Sequence, residues 1–126
     1  MKPVTAEAAE IDAIVELMYA QSGAADVDRA KVERGKALFE SQCDSCHSLA
    51  EGEAGASGPG LFGLHNRAFY TSFIGNPKLP IHMGADKSEM PRFDAELSIV
   101  DRDALAEYLV WLRSATQADL DRLGPL

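Results

Sequence analysis

Cys43-Asp44-Ser45-Cys46-His47 decides how the rest of this chain is read. It holds the only two cysteines of the 126 residues, and a histidine follows the second one directly. C-x-x-C-H is the spacing of covalent haem attachment. Two residues between the thiols let both sulfurs reach carbons on one edge of the ring. The next residue can then swing its imidazole under the iron. Rival readings are weaker. A thioredoxin-like redox pair needs a βαβ setting, and no segment here alternates as a strand does. Half a zinc site needs a second ligand pair, whereas His65 and His82 are single and far apart. A disulfide framework needs more cysteines, spread along the chain.

Outward from the motif, the chain reads as helices separated by long loops. Upstream, Asp26 or Asp28 caps a helix running to about Gln42, with Val32, Leu38 and Phe39 on its apolar stripe. Gly35 lies on the same side, where it costs about 1 kcal/mol against alanine unless another helix crosses closely. Residues 7–20 form an earlier helix, with Thr5 as a candidate cap and Ile11, Ile14, Val15 and Met18 on one face. Downstream, residues 48–67 and 76–97 are rich in Gly, Ser and Pro and read as loop, around a short helix over 68–75. Ser98-Ile99-Val100-Asp101 is a capping box. Its helix runs to about Ser114 and turns Leu105, Tyr108, Leu109 and Leu112 inward. Residues 116–123 form a last short helix before Gly124-Pro125. Loops of this length imply function or an organising ligand at the centre of the chain.

The composition, with 46% hydrophobic and 25% charged residues, is that of one folded domain. No apolar run is long enough to span a bilayer. Twelve basic against twenty acidic residues give a net charge of −8, which argues against nucleic acid and anionic lipid and for a basic partner surface. The first six residues lack a charged-then-apolar leader pattern. The expectation is a domain whose leader was removed, or one cut from a longer chain.

Four motifs in order resemble a class I cytochrome c. They are Gly35-x-x-Leu38-Phe39-x-x-x-Cys43-x-x-Cys46-His47, Gly58-Pro59-x-Leu61-x-Gly63-Leu64-x-x-Arg67, Met90-Pro91-x-Phe93 and Leu105-x-x-Tyr108-Leu109-x-x-Leu112. The resemblance implies an all-α fold of three main helices, with short helices and long loops, around one haem c. The helix at 7–20 would be an addition to that fold. Residues 1–27 would be an N-terminal extension, 28–115 the cytochrome c domain, and 116–126 a tail or short helix. Cys43 and Cys46 would carry the thioethers and His47 would be the proximal iron ligand. The Pro59 carbonyl would orient His47, Arg67 would face a haem propionate, and Met90 would be the sixth ligand. Gly35 would let the helix of residues 28–42 cross the one starting at Ser98, with Phe39 near Tyr108.

Met83 and His82 compete with Met90 for the iron. Only Met90 precedes a proline, which stiffens the loop. His65 and His82 are otherwise expected to be exposed loop residues, and Met18 a core residue. Asn66 stands where related chains carry glycine, so a left-handed turn is expected there. Phe69, Tyr70 and Phe73 are candidate pocket walls. Lys78, Lys87 and Arg92 are a candidate basic patch. The run Phe73-Ile74-Gly75-Asn76-Pro77, with Gly84 and Lys87 to Phe93, resembles the c-type domains of bacterial respiratory complexes, the fused cytochrome b/c subunits above all.

The implied function is electron transfer by a His/Met-ligated haem, without catalysis, outside the bacterial cytoplasm. The domain would be a monomer, passing electrons to redox proteins or within one membrane complex. The alternative is a haem-based ligand sensor or peroxidase with a labile distal methionine.

Overall fold

Polar residues at the helix starts set the punctuation of the chain. In the computed structural model, which describes residues 5–82, 84 and 87–124, five helices follow one another and no strand occurs among these residues. They are α1 (Ala8–Gln21), α2 (Arg29–Gln42), α3 (Arg67–Gly75), α4 (Ile99–Leu112) and α5 (Gln117–Leu123). The all-α expectation holds. Glu7 rather than Thr5 starts α1, through a reciprocal pairing with Glu10. Asp28 caps α2 by accepting from the backbone of Ala30 and Lys31. Ser98 with Asp101, and Thr116 with Asp119, form capping boxes for α4 and α5. Asn66 has an ordinary φ of −79° and caps α3, its side chain accepting from Phe69 N–H at 2.8 Å. The left-handed backbone falls instead on Gly63 (φ 62°) and on His65 (φ 65°).

The helices meet in two pairs, α1 with α2 and α3 with α4. This corrects the expected crossing of α2 with α4. Gly35 faces α1, where any Cβ would run into the carbonyl oxygen of Ala13 and the side chain of Leu17. A small residue on α1 thus meets the missing side chain of α2. Beside that contact Leu17 joins Val32 and Phe39 in one buried cluster, with Met18, Leu49 and Leu61 packed against it. Phe39 is therefore a partner of Leu17. Tyr108 stacks on Trp111 instead (centroids 5.7 Å apart) and is 37% exposed.

The buried stripe of α1 is Ala13 and Leu17, while Ile11 and Val15 are more than half exposed. Polar contacts fix this rotation. Glu16 accepts from the backbone of Asp28 at 2.7 Å, and Lys31 pairs with Asp12 at 2.7 Å.

In the second pair, Ala106 of α4 is fully buried, and the Arg102 guanidinium lies over Gly75 of α3. Leu105 and Tyr108 remain partly exposed because they face an open cleft rather than another helix.

Candidate haem site

The C-x-x-C-H segment continues α2 as a tight turn. Cys43 N–H donates to the Phe39 carbonyl at 2.8 Å, and the backbone of Cys46 and of His47 donates back to the Cys43 carbonyl at 3.0 and 2.9 Å. One turn of chain thus carries both thiols and the imidazole. The following loop folds back over it, with Ser57 N–H reaching the Cys46 carbonyl and Leu61 N–H the Ser48 carbonyl.

Two glycines make this return possible. A Cβ on Gly58 would lie 2.5 Å from the His47 ring, and one on Gly55 would collide with the Cys46 carbonyl. The closure brings the Pro59 carbonyl to 2.9 Å from His47 Nδ1. A carbonyl only accepts, so Nδ1 donates that bond.

Cys43 and Cys46 are not joined in a disulfide. Burial pushes the Cys43 thiol up from its ordinary range, whereas hydrogen bonds from Ser57 and Ser45 pull Cys46 down. This donor set fits a covalently attached haem. It offers two thiols on one turn and an imidazole oriented through its far nitrogen, as metal-bound histidines are.

Met90 stands in the loop before α4. It is half-buried and lines a cleft of about 430 Å³ with Ile74, Phe93, Leu97, Leu105, Tyr108 and Leu109. Its loop is tied to the end of α3, since the backbone of Phe93 and Asp94 donates to the Gly75 carbonyl at 3.0 and 3.1 Å. Cys43, Cys46 and His47 are not among the residues lining that cleft. Met83 lies outside the described residues.

Arg67 has partners of its own, and the expectation for His82 needs correction. Arg67 is engaged by α4: its Nε donates to Asp103 at 2.8 Å, a second nitrogen contacts Asp103, and a third meets Glu107 at 3.0 Å. Those carboxylates of α4 are partners that the sequence motif does not announce. His82 is not an exposed loop residue. It is 3% exposed, its Nε2 lies 2.9 Å from Ser72 Oγ, and Phe69 and Phe73 stand perpendicular to its ring at 5.2 and 5.4 Å. Burial lowers its pKa, keeping the ring neutral. His65 is exposed as expected, paired with the Tyr70 hydroxyl at 2.9 Å. The Phe69 and Phe73 spacing along α3 was the one sequence signal of this second aromatic site, and Ser72 between them carried none. Arg92 of the candidate basic patch is balanced by Asp94, and Lys87 reaches the Ser57 carbonyl at 3.5 Å.

Residues 30–109 match the family described as cytochrome c oxidase, cbb3-type, subunit III. The chain belongs to the c-type cytochromes. A 38-residue stretch is 42% identical to a cytochrome c of Dictyostelium discoideum, covering 30% of this chain and 34% of that relative. No solved structure matches. Membership of this cytochrome family implies covalent haem c and haem-based electron transfer between redox partners. Its matched span begins inside α2, so α1 precedes it and yet packs along α2. Among the described residues, no helix is long and apolar enough to cross a membrane.

Proposed function

We propose that this cytochrome is a mono-haem electron carrier whose iron is ligated by His47 and Met90, working outside the cytoplasm as a domain of a bacterial respiratory complex. The bond from His47 Nδ1–H to the Pro59 carbonyl supports this reading most directly. It holds the ring in one tautomer and raises the basicity of Nε2. Cys43 and Cys46 would hold the haem by thioethers. When bound, the group supplies an iron that cycles between ferrous and ferric states.

The residues of this chain do the rest. His47 and Pro59 fix the ligand on one side. The Met-Pro-x-Phe loop, anchored on Gly75, presents a neutral, soft thioether, and a His/Met pair raises the potential of the iron. Leu105, Tyr108 and Leu109 give that side a dry wall. Residues 28–115 would be the carrier proper, with residues 1–27 and 116–126 flanking it. The net charge of −8 favours a basic docking surface, unless tethering within a complex makes steering unnecessary.

The test is spectroscopic. The purified, loaded protein should keep its colour through acid–acetone extraction, and its denatured mass should include the haem. The oxidised form should show the weak far-red sulfur-to-iron band. Met90→Ala should abolish that band and open the reduced iron to carbon monoxide, whereas Met83→Ala should leave both unchanged. The reverse behaviour of the two variants would assign the thioether to Met83.

A further inference from the structure

The ends of α1 and α4 face each other across a gap that one side chain bridges. Among the described residues, no helix of the pair α1 and α2 packs on a helix of the pair α3 and α4. Arg113, the residue that ends α4, spans the distance. One terminal nitrogen donates to Ser22 Oγ at 3.0 Å, at the end of α1. The other donates to the His65 carbonyl at 3.0 Å, in the turn before α3. Its guanidinium carbon lies 5.8 Å from the ring centre of Tyr19, also on α1. The space on either side is open. Tyr19, Ser22 and Arg113 line one groove of about 300 Å³ and share in lining a second of about 250 Å³. The side chain is a strut between two grooves rather than part of a packed core.

Each contact of the strut has a physical cause. The last carbonyls of α1 and of α4 carry partial negative charge. Neither helix has a basic residue in its last turn, so the Arg113 cation serves both ends. His65 has a φ of 65°, among the described residues the one non-glycine value in the left-handed region. Its carbonyl is the one that Arg113 binds, and its ring meets the Tyr70 hydroxyl of α3 at 2.9 Å. Strain of this kind persists only where surrounding contacts over-determine it. Arg113 therefore ties α1, α4 and the start of α3 to one another.

The role follows from what is tied. α1 is locked on α2 at Gly35, and α2 leads into Cys43, Cys46 and His47. α4 follows the loop of Met90. His47 and Met90 thus belong to different helix pairs. We infer that Arg113 is a positioning residue: by bracing the α1–α2 pair against the α3–α4 pair, it keeps the Met90 thioether at the iron. The inference rests on the His47 and Met90 reading above. Such a brace acts on the population of an open arrangement, in which the thioether has left the iron. Carbon monoxide binds the reduced iron from that arrangement, so its association rate reports the open fraction.

The measurement is carbon monoxide association to the reduced, loaded protein. One net hydrogen bond is worth a factor of roughly two to ten, so loss of both Arg113 bonds should speed association about tenfold. Arg113→Gln should show that rise while the far-red band and the circular dichroism stay as in wild type, because the closed arrangement still dominates. Ser22→Ala removes one contact and should speed association about threefold. In the Arg113→Gln background Ser22→Ala should add nothing, the mark of two groups acting through one contact. Lys31→Gln breaks an exposed tie inside the α1–α2 pair and should leave the rate unchanged. An unchanged rate in Arg113→Gln, or an equal rise in Lys31→Gln, would overturn the role of Arg113 and leave the ligand reading intact. Should Arg113→Gln fail to fold, Ser22→Ala decides, and an unchanged rate there overturns the brace. A wild-type protein that lacks the far-red band and binds carbon monoxide as fast as Met90→Ala would overturn the methionine reading, and the role of Arg113 with it.

Discussion

The two helix pairs solve the same packing problem in different ways. Between α1 and α2, backbone approaches backbone at Gly35, and Leu17, Val32 and Phe39 close a dry cluster beside the contact. Between α3 and α4, the ties are polar, Arg67 to Asp103 and Glu107 and Thr71 to Asp103. The apolar residues of the second pair line an open cleft instead of a finished core. The first pair is complete from protein atoms. The second leaves an apolar wall open, and Met90 stands in it. The difference teaches that α1 and α2 form the platform that carries the C-x-x-C-H turn, while α3 and α4 form the receptive half.

The sharpest way to break that comparison is to damage the finished pair. Leu17 is 1% exposed at its centre, and cutting a buried leucine to alanine costs about 2–5 kcal/mol. Leu17→Ala should therefore lower the unfolding midpoint strongly, with or without haem, in a denaturant titration followed by circular dichroism. Insensitivity would mean that α1 is a loose extension and that the platform lies elsewhere.

What was legible before the structure follows the same division. The C-x-x-C-H turn, the five helices and the caps at Asp28 and Ser98 could be read because each is a local pattern. Which helices meet could not be read. Gly35 announces a close crossing without naming the partner, and Ala13 looks like an ordinary helix former until it is seen under that glycine. The rotation of α1 was misread because hydrophobicity favours Ile11 and Val15, whereas Glu16 and Asp12 are held by Asp28 and Lys31 of the α2 region. His82 was misplaced for a related reason. Its burial depends on Phe69, Phe73 and Ser72, which sequence separates from it and the fold of the chain brings back. The α4 partners of Arg67 were out of reach for the same reason, since Asp103 and Glu107 lie 36 or more residues away.

A smaller effect should come from the glycine itself. Gly35→Ala gains helix propensity worth about 1 kcal/mol. Against that, its Cβ meets the Ala13 carbonyl, and overpacking of this kind costs about 1–3 kcal/mol. The net change should be a loss of stability. A stabilised variant would show that α1 leaves Gly35 uncovered in solution.

Smaller still, in the haem-free chain, is the effect expected in the receptive half. Leu105 is 43% exposed, so Leu105→Ala should cost only about 1 kcal/mol there, part of the value of a fully buried leucine. In the loaded protein the same change should cost about 2 kcal/mol or more, as for a core leucine, because the wall is then covered. Comparing the two denaturation midpoints sharpens the contrast between the pairs. Equal losses would mean that Leu105 faces solvent in both states and that the cleft beside Met90 is not a cofactor wall.

The last and smallest effect concerns the polar tie of α3 to α4. The hydrogen bond and charge of Arg67 hold the Asp103 carboxyl below its ordinary pKa, and Thr71 adds a weaker pull in the same direction. A carboxylate with a depressed pKa binds protons less readily in the folded chain than in the unfolded one. Its contribution is present above the ordinary carboxylate range and is lost as pH falls through the depressed value. Arg67→Gln removes the cause. The stability difference between wild type and variant should therefore be present at neutral pH and shrink as acid protonates Asp103. Both side chains are well exposed, 55% for Arg67 and 38% for Asp103, so added salt should also shrink it. The pair at the rim of α1 and α2, Lys31 with Asp12, is exposed to a similar degree, so Lys31→Gln should be equally modest. The contrast lies in what remains afterwards. The first pair keeps Leu17 and Gly35 in contact, and its helices should stay protected in amide hydrogen exchange. The haem-free second pair loses a principal tie, and exchange should quicken along α3. Equal protection of α3 with and without Arg67 would show that Gly75 under Arg102, together with buried Ala106, suffices to hold α3 against α4.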